Sequence, residues 1–173
     1  FEWMGQNIGH EQGHHNVYVD GCEAPQGSFG WLEIAEDLWP FMEDVEAEYG
    51  YNIVSIPHAS AFTGFNWKVR DDRLRPVAEV YSEWDSSMDE ALTGSVPDGL
   101  RSGNRRGLIA ASDNHDGWLG NRLAYKNAPG GLAAIVAPEL STAALLDAMR
   151  GHSTYATTGA RILLGFSAEA RGQ

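Results

Sequence analysis

Short apolar runs, each bounded by polar residues, Gly or Pro, recur along this chain of 173 residues. Six of them, each six or seven residues long and mostly rich in Val, Ile, Ala or Tyr, are typical of β-strands. These predicted strands cover residues 15–20, 52–57, 76–82, 107–112, 131–137 and 161–166. Helical patterns lie between several of them. Strands that alternate with helices favour an α/β fold, either a mostly parallel sheet or a barrel.

The longest helical pattern covers residues 31–49, where apolar residues recur at steps of three and four with acidic residues between them. Ser28 is a suitable N-cap, and Gly50 is expected to end the helix. Pro40 lacks the amide hydrogen that a helix interior requires, so we expect a kink there or a second helix that begins at Pro40. The apolar face consists of Trp31, Ile34, Leu38, Phe41, Met42 and Val45.

Two further helical patterns are shorter. Ser141 is expected to cap a helix that ends at Gly151, and a weaker pattern covers residues 87–92. No internal repeat or long linker divides the chain. Residues 1–173 are therefore predicted to form one domain, and the length is sufficient for a real hydrophobic core.

Composition excludes several classes of function. With 12 basic and 24 acidic residues, the chain has a net charge of −12, which disfavours binding to nucleic acid or to an anionic membrane surface. No run of 18 apolar residues is present, so no membrane span is predicted. The single cysteine, Cys22, allows no intrachain disulfide and no CxxC zinc site. Because the chain begins with Phe rather than Met, the lack of a signal segment leaves localisation open.

A polar segment, SDNHDG at residues 112–117, directly follows the predicted strand GLIAA. In an extended chain Asp113 and His115 project to the same side, with their Cα atoms roughly 6.6 Å apart. This spacing suits two metal ions about 3.5–4 Å apart, each bound by one of the two side chains. The alternative is an ordinary polar turn, since Asp, Asn and Gly all favour turns.

Three other candidate ligands lie at strand ends. Glu2 is in a strand-like start, His14 lies just before a strand, and His58 follows the strand NIVSIP. In α/β folds the carboxyl ends of the strands form the site, so these side chains could meet. A mixture of carboxylates and imidazoles suits Zn, Mn or Fe(II) better than Ca or Mg. The alternatives are a solvated Glu2, a structural hydrogen-bonded His58, and a polar loop at 14–15.

Five strings in this order and at these gaps resemble one branch of the PHP (polymerase and histidinol phosphatase) superfamily, a branch consisting largely of proteins of unknown function: GHHNVYV, SIPHASA, VAEVYSEWDSS, ASDNHDG and STYATTGARI. The resemblance extends from residue 1 to about residue 166. It implies a distorted seven-stranded (β/α)7 TIM-like barrel with two or three bound metal ions and metal-dependent hydrolysis of phosphoesters.

The resemblance also assigns roles to individual residues. Glu2 matches a carboxylate that bridges two metals, His14 and His58 match metal-binding histidines, and Asp113 and His115 match a pair whose side chains bind different metals. By the same match His15 is not a ligand. From their positions in the sequence, His10 is expected to be a bystander, and His152, which follows the Gly that ends a helix, is expected to be exposed. The superfamily opens with a His-x-His strand that this chain lacks. The chain therefore resembles the C-terminal part of the barrel, with the first strands missing and between one and three metal ions bound.

The first hypothesis for function is a metal-dependent phosphoesterase in which metal-bound water attacks a small-molecule phosphoester. Asp113, His115 and Arg161 are the predicted catalytic residues, and Arg122 and Lys68 are further candidates for holding the substrate anion. For each of these cations, a role as an ordinary surface charge is the alternative. Trp118 could form a wall of the pocket or simply pack.

Two other hypotheses remain. An incomplete barrel exposes strand edges and apolar faces, so the chain could be an inactive metal-binding domain that acts through assembly, and association into a homo-oligomer is expected. The third hypothesis is nucleophilic catalysis by Cys22, near His14, or by Ser112, next to Asp113. The chain has no GxSxG elbow, which disfavours it.

Overall fold

The computed structural model describes residues 2–4, 13–21, 35–58, 64–91, 94–115 and 130–168. Within these ranges the chain forms seven strands and three helices. The strands are β1 (Glu2–Met4), β2 (His14–Val19), β3 (Ile53–His58), β4 (Val77–Tyr81), β5 (Gly107–Ala110), β6 (Leu132–Ile135) and β7 (Thr154–Thr157). The helices are α1 (Ala35–Tyr49), α2 (Val96–Arg101) and α3 (Thr142–Arg150).

The strands form three small sheets rather than a barrel. β1, β2 and β3 form an antiparallel sheet, β4 and β5 a parallel pair, and β6 and β7 an antiparallel pair. The prediction of the C-terminal part of a distorted (β/α)7 TIM-like barrel is therefore wrong, and so is the mostly parallel sheet. The fold is mixed α/β. A helix between two strands fits a parallel crossover, yet the segments that contain α1 and α3 each connect antiparallel partners.

Helix α1 continues through Pro40 as one element, so the expected second helix does not begin there. An interior proline costs about 3 kcal/mol. Leu38, Met42 and Val45 are fully or almost fully buried against the β1–β3 sheet, and burying each contributes about 1.5–3 kcal/mol, which outweighs that cost. Gly50 ends α1 as predicted, with φ of 69° and its amide donating to Glu46 O at 2.9 Å. The proposed Ser28 cap lies outside the described residues.

Five of the six predicted strands are confirmed, as β2 to β6, but the last is wrong. Residues 161–168 have no regular structure, and Leu163 is 100% exposed. The actual last strand is β7, four residues of Thr, Tyr and Ala that pair with β6. This run meets no neighbouring strand, and the Tyr155 hydroxyl instead donates to Ile162 O and accepts from the amide of Leu164. Whether an apolar run finds a partner strand depends on the rest of the fold, so composition alone could not decide between the two segments.

Of the two shorter helices predicted from the sequence, one is confirmed and the other is wrong. The helix capped by Ser141 is confirmed, since the Ser141 hydroxyl accepts from the amide of Ala144 at 3.2 Å and the helix ends at Gly151. The weaker pattern at 87–92 is wrong, because its described residues form turns. Instead, Ser95 caps α2 and Pro97 lies in the first turn of that helix, where a proline is tolerated.

The core has three parts that join the small sheets. α1 covers the β1–β3 sheet, α3 packs Leu146 and Met149 against β3, β4 and β5, and Phe65 and Val96 cover the other face of β4. The first sheet is also tied to the turn before β4, where Ser55 donates from both its amide and its hydroxyl to Leu74 O, at 2.6 and 2.9 Å. The described part of the chain contains no helix of the length and apolarity that crossing a membrane demands.

Candidate functional site

Two histidines that are remote in sequence meet at one edge of the first sheet. His14 begins β2 and His58 ends β3, and because these strands run antiparallel, the two residues lie opposite each other in register. Their rings are 5.9 Å apart between centroids. His58 is 2% exposed, whereas His14 is partly exposed. The pair therefore places one buried and one accessible imidazole at the same sheet edge.

Asp113 reaches this pair from the turn that follows β5. Its Oδ2 lies 3.7 Å from His58 Nδ1, and its Oδ1 lies 3.5 Å from His115 Nε2. The Asp113 side chain is 17% exposed and that of His115 is 71% exposed. The carboxylate thus lies between an inner and an outer histidine. We refer to His14, His58, Asp113 and His115 together as the histidine rim.

The backbone at Asp113 is held in an unusual conformation by the neighbouring turn. Asp113 has φ of 54°, which few residues other than Gly, Asn and Asp adopt. The Trp84 Nε1 donates to Asp113 O at 2.9 Å, and the Glu83 amide donates to Ser112 O at 3.2 Å. The Trp84 ring also lies 5.2 Å from that of His115. The segment after β4 therefore positions both rim residues that follow β5.

Trp84 is a positioning residue that the sequence reasoning missed. A signal for it was present, because EWD follows one predicted strand just as SDNHD follows another. β4 and β5 run parallel, so the segments after them meet at the same edge. The parallel pairing of these two strands was the information required to connect Trp84 with Asp113.

For several other predicted site residues the structure describes no contact with the rim, and the remainder lie outside the described residues. Glu2 pairs in register with Asn16, two residues along β2 from His14, and no more of Glu2 is described. Arg161 lies in the exposed segment after β7 and forms no hydrogen bond or ion pair with the described residues. Lys68 is exposed in a turn before β4. His10, Cys22, Trp118 and Arg122 lie outside the described ranges.

The rim distances are close to those expected between two ligands of one metal ion. Metal–ligand bonds of about 2.0–2.2 Å in tetrahedral geometry put two ligand atoms about 3.3–3.6 Å apart. The two contacts of Asp113, at 3.7 and 3.5 Å, lie at or slightly beyond this separation. In the described residues, however, no three His, Cys, Asp or Glu side chains are grouped to hold one ion. These residues thus supply pairs of ligands that further groups would have to complete.

His15 lies in the core rather than at the rim. Successive residues of a strand point to opposite faces, and His15 is fully buried with its ring 5.2 Å from Trp3 and 6.1 Å from Trp39. Burial lowers the pKa of His15 well below its usual 6.5, and the positive charge of Arg75 and the proximity of His58 lower it further. His15 is therefore neutral in the folded protein.

This burial predicts acid sensitivity. Below pH 6.5 the unfolded chain binds a proton at His15 that the folded chain excludes, so unfolding takes up protons and stability falls as the pH decreases. The loss is about 1.4 kcal/mol for each pH unit between 6.5 and the lowered folded pKa. His15→Phe, which cannot titrate, should reduce the slope of unfolding free energy against pH between 5 and 6.5, measured by urea denaturation. An unchanged slope would show that His15 binds a proton equally in both states.

Part of the chain is similar to a protein family whose activity is not known. Residues 100–170, which include Asp113 and His115, match the model of a family described as a protein of unknown function (DUF3604). The chain is also 28% identical over 154 residues to an uncharacterised protein of Chlamydia pneumoniae, covering 74% of this chain and 24% of that protein.

An uncharacterised protein of Chlamydia trachomatis serovar D is 25% identical over 150 residues, covering 75% of this chain and 24% of its own length. The chain therefore spans about a quarter of the length of the curated relatives that it matches. No solved structure shows a significant match to the chain.

Proposed function

We propose that the histidine rim is part of a divalent metal site, for Zn, Mn or Fe, and that the protein is a hydrolase of small-molecule phosphoesters. The observation that carries the proposal is the position of the Asp113 carboxylate, which has His58 on one oxygen and His115 on the other. Together with His14, which lies opposite His58, the rim draws its side chains from three separate parts of the chain. Oxygen and imidazole donors together are the ligand set that these metals prefer.

Each rim residue would contribute differently. His58 is buried at the end of β3, so its orientation is fixed by packing, and Asp113 lies between the inner and outer imidazoles. His115 is mostly exposed, so it is the rim residue that a substrate reaches first. A bound metal would supply a water of lowered pKa and a Lewis acid for the phosphoryl oxygens. Trp84 would keep Asp113 and His115 in place during this chemistry.

The resemblance to the PHP superfamily supports this reaction class, because its Asp-x-His string falls on two of the rim residues, Asp113 and His115. We therefore include membership of the PHP superfamily in the proposal. The resemblance does not extend to the barrel, which the three separate small sheets overturn. Arg161 remains the proposed residue for holding the substrate anion, with the segment that carries it exposed after β7.

A metal-binding domain that acts through assembly, without catalysis, is the second candidate. Two observations favour it: the described residues provide ligand pairs rather than a complete set, and the segment after β7 exposes large apolar side chains. Leu163 is 100% and Phe166 88% exposed, which is costly for an isolated chain in water. Bound metal without turnover, together with a homo-oligomer in solution, would favour this candidate over the hydrolase.

His58→Ala is the direct test. Removing the buried imidazole should lower the bound metal and the hydrolysis of an aryl phosphate together, each by about 100-fold, because first-sphere ligands matter at least as much as outer-sphere partners. Metal content is measured by mass spectrometry after dialysis, and hydrolysis is measured with Zn, Mn and Fe(II) added in turn.

The matched control is His152→Asn. His152 is an exposed histidine with φ of 56°, a conformation that Asn tolerates, and it follows α3 rather than lying at the rim. This variant should retain metal and activity. If His58→Ala binds as much metal as the unmodified chain, His58 is not a ligand and the proposed site is wrong.

A further inference from the structure

Positive charge is concentrated in two short segments of this acidic chain. Seven of its 12 basic residues lie at positions 68–75 and 101–106: Lys68, Arg70, Arg73, Arg75, Arg101, Arg105 and Arg106. The first segment precedes β4 and the second precedes β5. Because β4 and β5 run parallel, the two segments meet at the amino-terminal edge of the pair, opposite to the histidine rim.

A pocket of about 240 Å³ lies between these segments, lined by Arg70, Asp72, Gly103, Asn104 and Arg105. Pockets for drug-sized ligands have volumes of roughly 300–1,000 Å³, so this one suits a small ion. The negative charge of Asp72 is offset by Arg106, at 3.2 Å. Arg70 and Arg105 therefore leave the pocket with a net positive charge.

Arg70 and Arg105 both have N–H groups that form no hydrogen bond within the described residues. The Arg105 side chain is exposed and forms no hydrogen bond or ion pair within the described ranges. Arg70 uses one donor, from Nη2 to Ser102 O at 2.8 Å, out of the five that a guanidinium carries. Planar guanidinium groups with free N–H donors bind the oxygen atoms of phosphate in pairs.

Asn104 adds an acceptor to these donors. It is 5% exposed, and its Nδ2 donates to Trp67 O and to Ser102 Oγ at 3.3 and 3.0 Å, which fixes the orientation of the amide. Its Oδ1 is buried and finds no donor among the residues that the structure describes. A buried acceptor without a donor is costly, and Asn104 lines the pocket, so a ligand with an O–H group gains a hydrogen bond once a side-chain shift uncovers this oxygen.

We propose that this pocket binds the free phosphate ion. Near neutral pH inorganic phosphate always retains at least one P–OH hydrogen, which Asn104 Oδ1 can accept, while its other oxygens accept from Arg70 and Arg105. Sulfate and carboxylates lack such a hydrogen, and a fully ionised phosphate monoester lacks it as well. The five residues of β4 span roughly 13 Å of extended chain, and the pocket residues lie before its first residue whereas the rim lies after its last, so the two sites are at opposite ends of the β4–β5 pair. The proposal stands independently of the metal site.

The test is isothermal titration of the whole chain with inorganic phosphate, in EDTA to prevent binding through a metal ion. Saturable binding is expected at pH 8, where methyl phosphate is fully ionised and, like sulfate, has no O–H group. Methyl phosphate and sulfate at equal ionic strength should each bind about 10-fold more weakly than inorganic phosphate, the effect of one lost hydrogen bond to a charged group. Arg105→Gln should weaken phosphate binding by about 10-fold or more for the same reason. It should fold normally, since the side chain is exposed and unpaired in the described residues.

Arg101→Gln is the matched control, because Arg101 is an exposed arginine nearby that pairs with Glu90 and Asp98 and does not line the pocket. It should leave phosphate binding unchanged. Equal weakening by both substitutions would indicate diffuse attraction to the basic segments and overturn the pocket. Absence of saturable binding, or equal binding of sulfate and phosphate, would overturn the choice of ligand.

Discussion

Asp113→Asn should reduce metal affinity by about 100-fold or more and abolish aryl phosphate hydrolysis, while the fold is retained. The charged carboxylate is the group that approaches both His58 and His115, and the neutral amide of Asn binds divalent cations far less well. Outer-sphere substitutions in metal sites already cost about 10–100-fold in affinity, so loss of a central ligand should cost at least as much. Metal content and hydrolysis rate, measured on the same preparation, check the prediction.

Asn is the informative replacement for Asp113 because it can adopt the same backbone conformation. Asp113 has φ of 54°, and Asn tolerates this conformation almost as well as Asp, so the bond from Trp84 to the main chain should persist. The melting temperature should therefore change little. Asp147→Asn is the control, since Asp147 is an exposed carboxylate on α3 that pairs with Arg150. If Asp113→Asn keeps its metal, the three-residue contact is an ion-pair network without a metal role.

Gly94→Ala should destabilise the protein by about 3 kcal/mol, the largest structural effect that we expect from adding a single carbon. Gly94 has φ of 73°, which costs an L-residue about 1–2 kcal/mol. In addition, a Cβ there would lie 2.5 Å from Phe65 O and 2.7 Å from Phe65 N. These are backbone atoms, so they cannot rotate away as a side chain would, and overpacking of this kind costs about 1–3 kcal/mol.

Gly50→Ala separates the two causes. Gly50 has nearly the same φ, 69°, but nothing lies within 4 Å of the position where its Cβ would be. We expect a loss of only about 1 kcal/mol, from the backbone conformation alone. In thermal unfolding a chain of this size shifts by about 2–4 °C for each kcal/mol, so Gly94→Ala should melt about 10 °C lower and Gly50→Ala about 3 °C lower. Equal shifts would mean that the Phe65 backbone yields to the added methyl.

The location of most strands followed from local composition, whereas their direction did not. Five apolar runs became β2 to β6 because Val, Ile and Tyr side chains favour an extended, half-buried backbone. Whether neighbouring strands run parallel depends on the path of the connecting segment, which the residues of the strands do not encode. The barrel was inferred from alternation and resemblance, and the antiparallel pairings β2–β3 and β6–β7 contradict it.

The residues of the histidine rim could be predicted from the sequence, but the contacts that hold them in place could not. His14, His58, Asp113 and His115 were selected because polar residues followed apolar runs, and the structure places these four side chains at one edge. Trp84 could not be selected in this way, since its role depends on a hydrogen bond to a main-chain oxygen 29 residues away. The phosphate pocket was missed because arginines before strands resemble ordinary surface charge.

The pairing of β2 with β3 has a consequence for the fidelity of folding. His14 and His15 are neighbours, so a slip of one residue between these strands would still place an imidazole opposite His58. Such a misaligned protein would look almost correct at the rim, yet every side chain of β2 would be turned to the wrong face. Val17, buried on the same face as His15, would then be forced into solvent. The alternation of apolar and polar residues in β2 is thus what discriminates between two adjacent histidines of identical chemistry.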